Sequence, residues 1–184
     1  MNSSEKDLSV SMAKVNVLML PFALATLLMP VLFGLLHGKE SLLNGFDDFF
    51  SLKVFLPAFV LGIFVHEFIH GFTWALFSPA KWRDIRFGFQ VKMFTPYAHC
   101  TVPLKLRHYA LGALMPGLIL GILPFIFGLS MNNPLFAVAG FIFTFVACGD
   151  FWILYSLRNE PREAMVKDHP TNAGCVVYYP EKSA

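Results

Sequence analysis

Charge is scarce in this chain: Asp, Glu, Lys and Arg together make up 14% of its 184 residues, against roughly 25% in ordinary soluble domains. So few charges cannot clothe a surface that faces water on every side. Cysteine is scarcer still. Cys100, Cys148 and Cys175 are scattered, odd in number and without a C-x-x-C spacing, which argues against a disulfide framework, a cysteine-built structural zinc site or a redox pair. Internal repeats and low-complexity tracts are missing. A basic run of the kind that holds nucleic acid is missing too, since the net charge is +2 and the basic residues flank apolar stretches.

What is present is apolar. Hydrophobic residues reach 56%, with 21 phenylalanines, and the mean hydropathy is +0.60. Runs long enough to cross the roughly 30 Å hydrocarbon layer occupy residues 15–36, 54–77, 109–129 and 135–157. Charged or turn residues bound each of them: Lys14 and His37-Gly38-Lys39, Lys53 and Lys81, Arg107-His108, Asn132-Asn133-Pro134 and Arg158. The expectation is an all-α membrane protein, one integral-membrane domain over residues 1–184 with four transmembrane helices in contact with lipid. The first span lacks a small-x-small pattern after its apolar run and is expected to stay as an uncleaved anchor. Of the 14 Lys and Arg residues, 12 fall in the N-terminal segment, the loop 78–108 and the tail 158–184. By the positive-inside rule those three segments, and so both termini, are cytoplasmic in a multi-pass protein of the cell membrane.

Within the loop 78–108, Ile85, Phe87, Phe89, Val91 and Met93 alternate with Arg86, Gly88, Gln90 and Lys92, a period of two that predicts a strand. A turn at Phe94-Thr95-Pro96 and a second strand over 97–102 would complete a small cytoplasmic β-hairpin between helices 2 and 3. Such a hairpin plugs the end of the bundle or pairs by its edge with an extended peptide.

The chemistry centres on span two. His66 and His70 are four residues apart, so on a helix of ~3.6 residues per turn their rings lie about 40° apart and can grip one ion. Glu67 stands beside them. The H-E-x-x-H pattern serves zinc hydrolases because the helix fixes two ligands and sets a carboxylate near the water that must lose a proton. Ionisable side chains at mid-bilayer cost about 2.5–3.5 kcal/mol each on insertion scales, so the cluster needs a compensating partner such as zinc; a polar cluster that only joins helices is the alternative.

A catalytic zinc takes three protein ligands. Asp150 is the leading third, being the only carboxylate in spans one, three and four, and Gly149 before it would let helices approach closely. At ~1.5 Å rise per residue, His66 and His70 lie about 18 and 24 Å below the start of span two and Asp150 about 22 Å below the start of span four. One layer holds all three. His99, His108, His169 and Cys148 are the competing ligands, and His99 is also a candidate donor to a substrate oxyanion. Pro116-Gly117 and Pro124 predict kinks in span three.

Several short motifs together resemble the putative zincin peptidase family, small membrane proteins first catalogued as a domain of unknown function. The residues that carry the likeness are His66-Glu67-Phe68-Ile69-His70-Gly71, Tyr97-Ala98-His99-Cys100 before Pro103-Leu104, Met115-Pro116-Gly117, Gly149-Asp150-Phe151, and Asp168-His169-Pro170 before Gly174. The arrangement is also similar, more distantly, to site-2 proteases, from which it differs in placing Gly149 before Asp150 and in lacking an Asn-x-x-Pro stretch. The resemblance implies peptidase activity.

The reading that follows is a zinc-dependent intramembrane metallopeptidase, with His66, His70 and Asp150 as ligands, Glu67 as general base, and a membrane protein or peptide as substrate. A metal-binding pseudoenzyme or membrane adaptor is the rival. A transporter lacks repeats and intramembrane charges, and a di-iron lipid oxidase lacks histidine clusters.

Overall fold

A computed structural model describes residues 4–90 and 95–180. In chain order the elements are strand β1 (Glu5–Asp7), helices α1 (Met12–Leu18), α2 (Leu20–Thr26), α3 (Leu28–His37), α4 (Lys39–Phe50) and α5 (Leu52–Phe77), and a 3₁₀ turn at Trp82–Asp84. Strands β2 (Ile85–Gln90), β3 (Thr95–Cys100) and β4 (Leu104–Lys105) lead into α6 (Leu106–Pro116), a π-helical stretch (Gly117–Ile122) and α7 (Leu123–Ser130). Helices α8 (Pro134–Val146) and α9 (Cys148–Leu157) precede strands β5 (Met165–Asp168) and β6 (Cys175–Tyr178).

Three stretches are long and apolar enough to cross a membrane, Leu20–His37, Leu52–Phe77 and Leu106–Ser130, and the bent pair α8 and α9 makes a fourth if it counts as one span. The molecule is therefore a multi-pass membrane protein. Its exterior agrees: Leu61, Phe64, Phe68 and Leu76 of α5 are exposed, whereas His66, Ile69, His70, Thr73 and Trp74 are buried. Polar inside and apolar outside inverts the pattern of a helix in water.

Several expectations need correction. The fold is not helical apart from one hairpin, because a second, antiparallel sheet of four short strands forms in the order β1-β6-β5-β4. The apolar run 15–36 divides at Met19, with Pro21 opening α2, since proline suits the first helical turn and cannot donate within a helix; Leu20–His37 beyond it is one stretch long enough to cross. The first loop contains α4, whose buried Gly45 and Phe49 share one face. In the hairpin, Ile85↔Cys100 through Gln90↔Thr95 are paired, so Thr95 and Pro96 belong to a strand, and Phe94 of the expected turn lies outside the described residues. Span three is continuous through Pro116 and Pro124, and its irregularity is the π-helical stretch between them.

The described residues fall into two compact units. One contains Met19–His66 and Pro116–Cys148. There Phe33, Phe125 and Ala137 form a buried cluster with Met29, Leu42 and Leu129 against it, and the His37 ring Nε2 donates to the Leu129 carbonyl at 2.8 Å. Helices approach closely at Gly140, where a Cβ would stand 2.4 Å from the backbone nitrogen of Phe125. The other unit contains Met1–Leu18, Glu67–Met115 and Gly149–Ala184. Its core joins Trp74 and Tyr109 to Ile85, Ala98 and Cys100 of the hairpin and to Val166, Cys175 and Val177 of the larger sheet.

Candidate metal centre

The 26 residues of α5 form one apolar helix, which pairs backbone groups within the segment as hydrocarbon demands, with Pro57 near its start removing one such bond. His66 and His70 sit one turn apart on the buried stripe of this continuous helix, each 6% exposed. Glu67, between them, is half-buried. Asp150 is the third residue of α9, in the first turn, where the helix dipole favours a carboxylate.

The structure brings three of these groups together. One ligand atom from each of His66, His70 and Asp150 lies within 4.8 Å of the others. The His70 Nε2 to Asp150 Oδ1 separation is 3.5 Å. Two ligands at ~2.0–2.1 Å from one tetrahedral zinc stand roughly 3.4 Å apart, so this pair already has the required spacing. Two imidazoles and a carboxylate are a fitting donor set for zinc. The orientation of His70 is fixed from behind: its Nδ1 is 2.9 Å from the carbonyl oxygen of Gly112. A carbonyl only accepts, so Nδ1 carries the proton and Nε2 is left to the ligand side, the usual arrangement for a metal-binding histidine.

The competing ligands lie elsewhere: among the described residues, His99, His108, His169 and Cys148 are not part of the group. His99 pairs with Arg86 in the hairpin, its ring 4.6 Å from that of Tyr97, and with Phe89, Tyr97 and His169 it lines a cavity of about 310 Å³. His169 Nδ1 accepts from the backbone N–H groups of Thr171 and Asn172. The Cys148 thiol donates to the Thr144 carbonyl. Burial pushes the thiols of Cys100 and Cys175 up, the latter to about 12, so neither is a thiolate nucleophile near neutral pH. Gly149 does not act as expected, because a Cβ there would meet nothing within 4 Å.

Gly112 and Trp74 carry no signal in the sequence that marks them as parts of the site. Trp74 is one turn beyond His70 on α5, and its ring stacks on the imidazole with centroids 5.6 Å apart and 21° between planes. The indole fits because residue 112 has no side chain: a Cβ at Gly112 would lie 2.0 Å from Trp74 Nε1.

Helices long and apolar enough to cross a membrane, together with two buried imidazoles and a carboxylate in one group, define a multi-pass membrane protein with a three-residue group able to hold a metal ion. A family model described as putative zincin peptidase matches residues 59–165, more than half of the chain, and the chain belongs to that family. Membership implies zinc and metallopeptidase chemistry. No curated protein and no solved structure matches the chain significantly.

Proposed function

We propose that this protein is a zinc-dependent intramembrane metallopeptidase of the H-E-x-x-H type, similar in plan to site-2 proteases, that cleaves a membrane protein or peptide. The carrying observation is that His66 and His70, buried on a helix whose outer face is apolar, form one group with the half-buried Asp150 of α9. When bound, zinc supplies Lewis acidity that polarises a carbonyl and makes water a nucleophile near pH 7. Everything else comes from the chain. His66, His70 and Asp150 hold the ion, and the Gly112 carbonyl keeps His70 in the tautomer that can bind. Glu67 takes a proton from the attacking water and returns it to the amine that leaves when the C–N bond breaks. His99 contacts substrate from the hairpin instead of ligating the metal; its place on the lined cavity supports this.

The fine topology of this reading has four spans with a cytoplasmic hairpin and both termini in the cytoplasm. Charge distribution supports it, and so does the larger sheet, in which β1 before the first span, β4 before the third and β6 after the last share one hydrogen-bonded layer. Strands can pair only in one compartment, which requires an even number of crossings between them. Impermeant labelling of a single cysteine at each end in sealed vesicles tests this, and labelling from opposite sides would overturn it.

The decisive experiment measures zinc by elemental analysis and cleavage of fluorescent casein in detergent. Wild type should carry about one zinc per chain, the loading expected of a single three-ligand site, and cleave. His66→Ala, His70→Ala and Asp150→Asn should lose zinc, and Glu67→Gln should keep zinc and lose cleavage. Wild-type cleavage by Glu67→Gln removes the general-base role, and wild type without zinc removes the metallopeptidase reading in favour of a membrane adaptor.

A further inference from the structure

The motif Asp168-His169-Pro170 has no task in the zinc mechanism. Asp168 closes strand β5, and its carboxylate is tied on both oxygens: Oδ1 accepts from the Tyr109 hydroxyl at 2.6 Å, and Oδ2 from the Cys100 backbone N–H at 3.2 Å. One side chain thereby joins the tail, the first turn of α6 and the hairpin. Burial pushes the Asp168 carboxyl above its ordinary value, and the Tyr109 hydroxyl, the neighbouring His99, the Cys100 amide and the field of His70 offset only part of that effect. A carboxylate set in such a place at a desolvation cost is expected to do more than close a turn.

Tyr109 leads from Asp168 to the metal centre. Its ring stacks on Trp74, centroids 5.7 Å apart and planes 21° apart, and its carbonyl accepts from Trp74 Nε1–H at 3.3 Å. Trp74 in turn stacks on His70 at the same 21°. Two ring contacts thus link Tyr109 to Trp74 and Trp74 to His70, and all three residues are buried. An imidazole on a helix is free to swing about its side-chain bonds unless packing stops it, and Trp74 stacks on the His70 ring while Gly112 holds its edge.

We propose that Asp168 is a positioning residue of the metal centre, fixing the Tyr109 hydroxyl and, through the Tyr109–Trp74–His70 stack, the ring of the ligand His70. The inference rests on the zinc reading above. It makes the tail after the last span a working part of the centre, with no contact of its own to the ion.

Cobalt serves as the test, since Co²⁺ occupies zinc sites of this donor set and its visible absorption reports the coordination geometry. The samples are full-length wild type, Tyr109→Phe, Asp168→Asn and, as control, Lys6→Ala, which cuts a different anchor of the same sheet, the Lys6–Glu160 pair. Tyr109→Phe removes one oxygen and keeps every ring, so it decides the matter should Asp168→Asn fail to fold. The expected result is an altered cobalt spectrum and about tenfold weaker zinc binding, in competition with a chelator, for Tyr109→Phe and Asp168→Asn, the size usual for outer-shell partners. Lys6→Ala should match wild type. Spectra and affinities of Tyr109→Phe and Asp168→Asn equal to wild type, or an equal change in Lys6→Ala, overturn the positioning role and leave the zinc reading standing. A wild type that takes up neither cobalt nor zinc overturns the zinc reading itself.

Discussion

The imidazole of His70 is held at one edge by the carbonyl oxygen of Gly112, 42 positions along the chain and 2.9 Å away. The same glycine makes room for Trp74, which covers a face of that imidazole. A residue with no side chain thus restrains His70 twice, through an oxygen and through an empty space.

Gly112→Ala is the direct probe of that relationship. The new methyl would overlap the indole, and Trp74 is buried in ring contact with both His70 and Tyr109. Overpacking of this kind costs about 1–3 kcal/mol. The expected outcome is a lowered thermal unfolding midpoint in detergent together with weaker zinc binding. Zinc affinity unchanged in a folded variant would mean that the indole does not position His70.

Gly140 and Gly149 should respond in opposite ways. A methyl at Gly140 meets only backbone, of Phe125 and Gly121, none of which can rotate aside, so Gly140→Ala should destabilise by at least about 1 kcal/mol. At Gly149 the methyl enters open space, and alanine is the better helix former by up to about 1 kcal/mol. Thermal unfolding of both variants checks this, and equal losses would refute it.

The pairing of β1 is predicted to weaken in acid. Burial raises the Glu160 carboxyl, but the hydrogen bonds from Lys6 and Tyr179 outweigh it and hold the group below its ordinary 4.5. A carboxyl depressed in the folded state stabilises above its unfolded value, and the contribution disappears as pH falls through the folded value. Asp168, raised by burial, has the opposite sign, so Glu160→Gln is the necessary control. Hydrogen exchange of the Glu5–Asp7 amides, corrected for intrinsic rates, should lose protection below about pH 4.5 in wild type. In Glu160→Gln that pH dependence should vanish; its persistence would assign the effect to another group.

Long-range consequences of the sequence differ in how visible they are. Spans two and three are legible because 20 or more apolar residues have few other fates, and the observed Leu52–Phe77 and Leu106–Ser130 overlap the expected runs almost completely. The hairpin is legible from its alternation. The larger sheet is not, since strands such as Glu5–Asp7 and Leu104–Lys105 have three and two residues, too few for a period to register. His66 and His70 stand out by helical spacing, and Asp150 as a lone carboxylate that the structure sets beside His70. Gly112, Trp74 and Tyr109 escape notice because their parts are played by a backbone oxygen, a missing side chain and ring faces, which no residue type announces.

The strand order β1-β6-β5-β4 also bears on how the protein is made. Glu5–Asp7 is made before the other strands of its sheet, yet its partner Cys175–Tyr178 is about 170 residues later. At roughly 5–20 residues per second, β1 waits on the order of ten to thirty seconds with its edge unpaired while every apolar helix enters the bilayer. Completion of the sheet, and with it the seating of Asp168 on Tyr109, waits until the segment after the last span has been made. A chain halted before its tail would carry the H-E-x-x-H helix while Tyr109 and the hairpin still lacked their shared anchor in Asp168, so assembly itself postpones the joining of those elements.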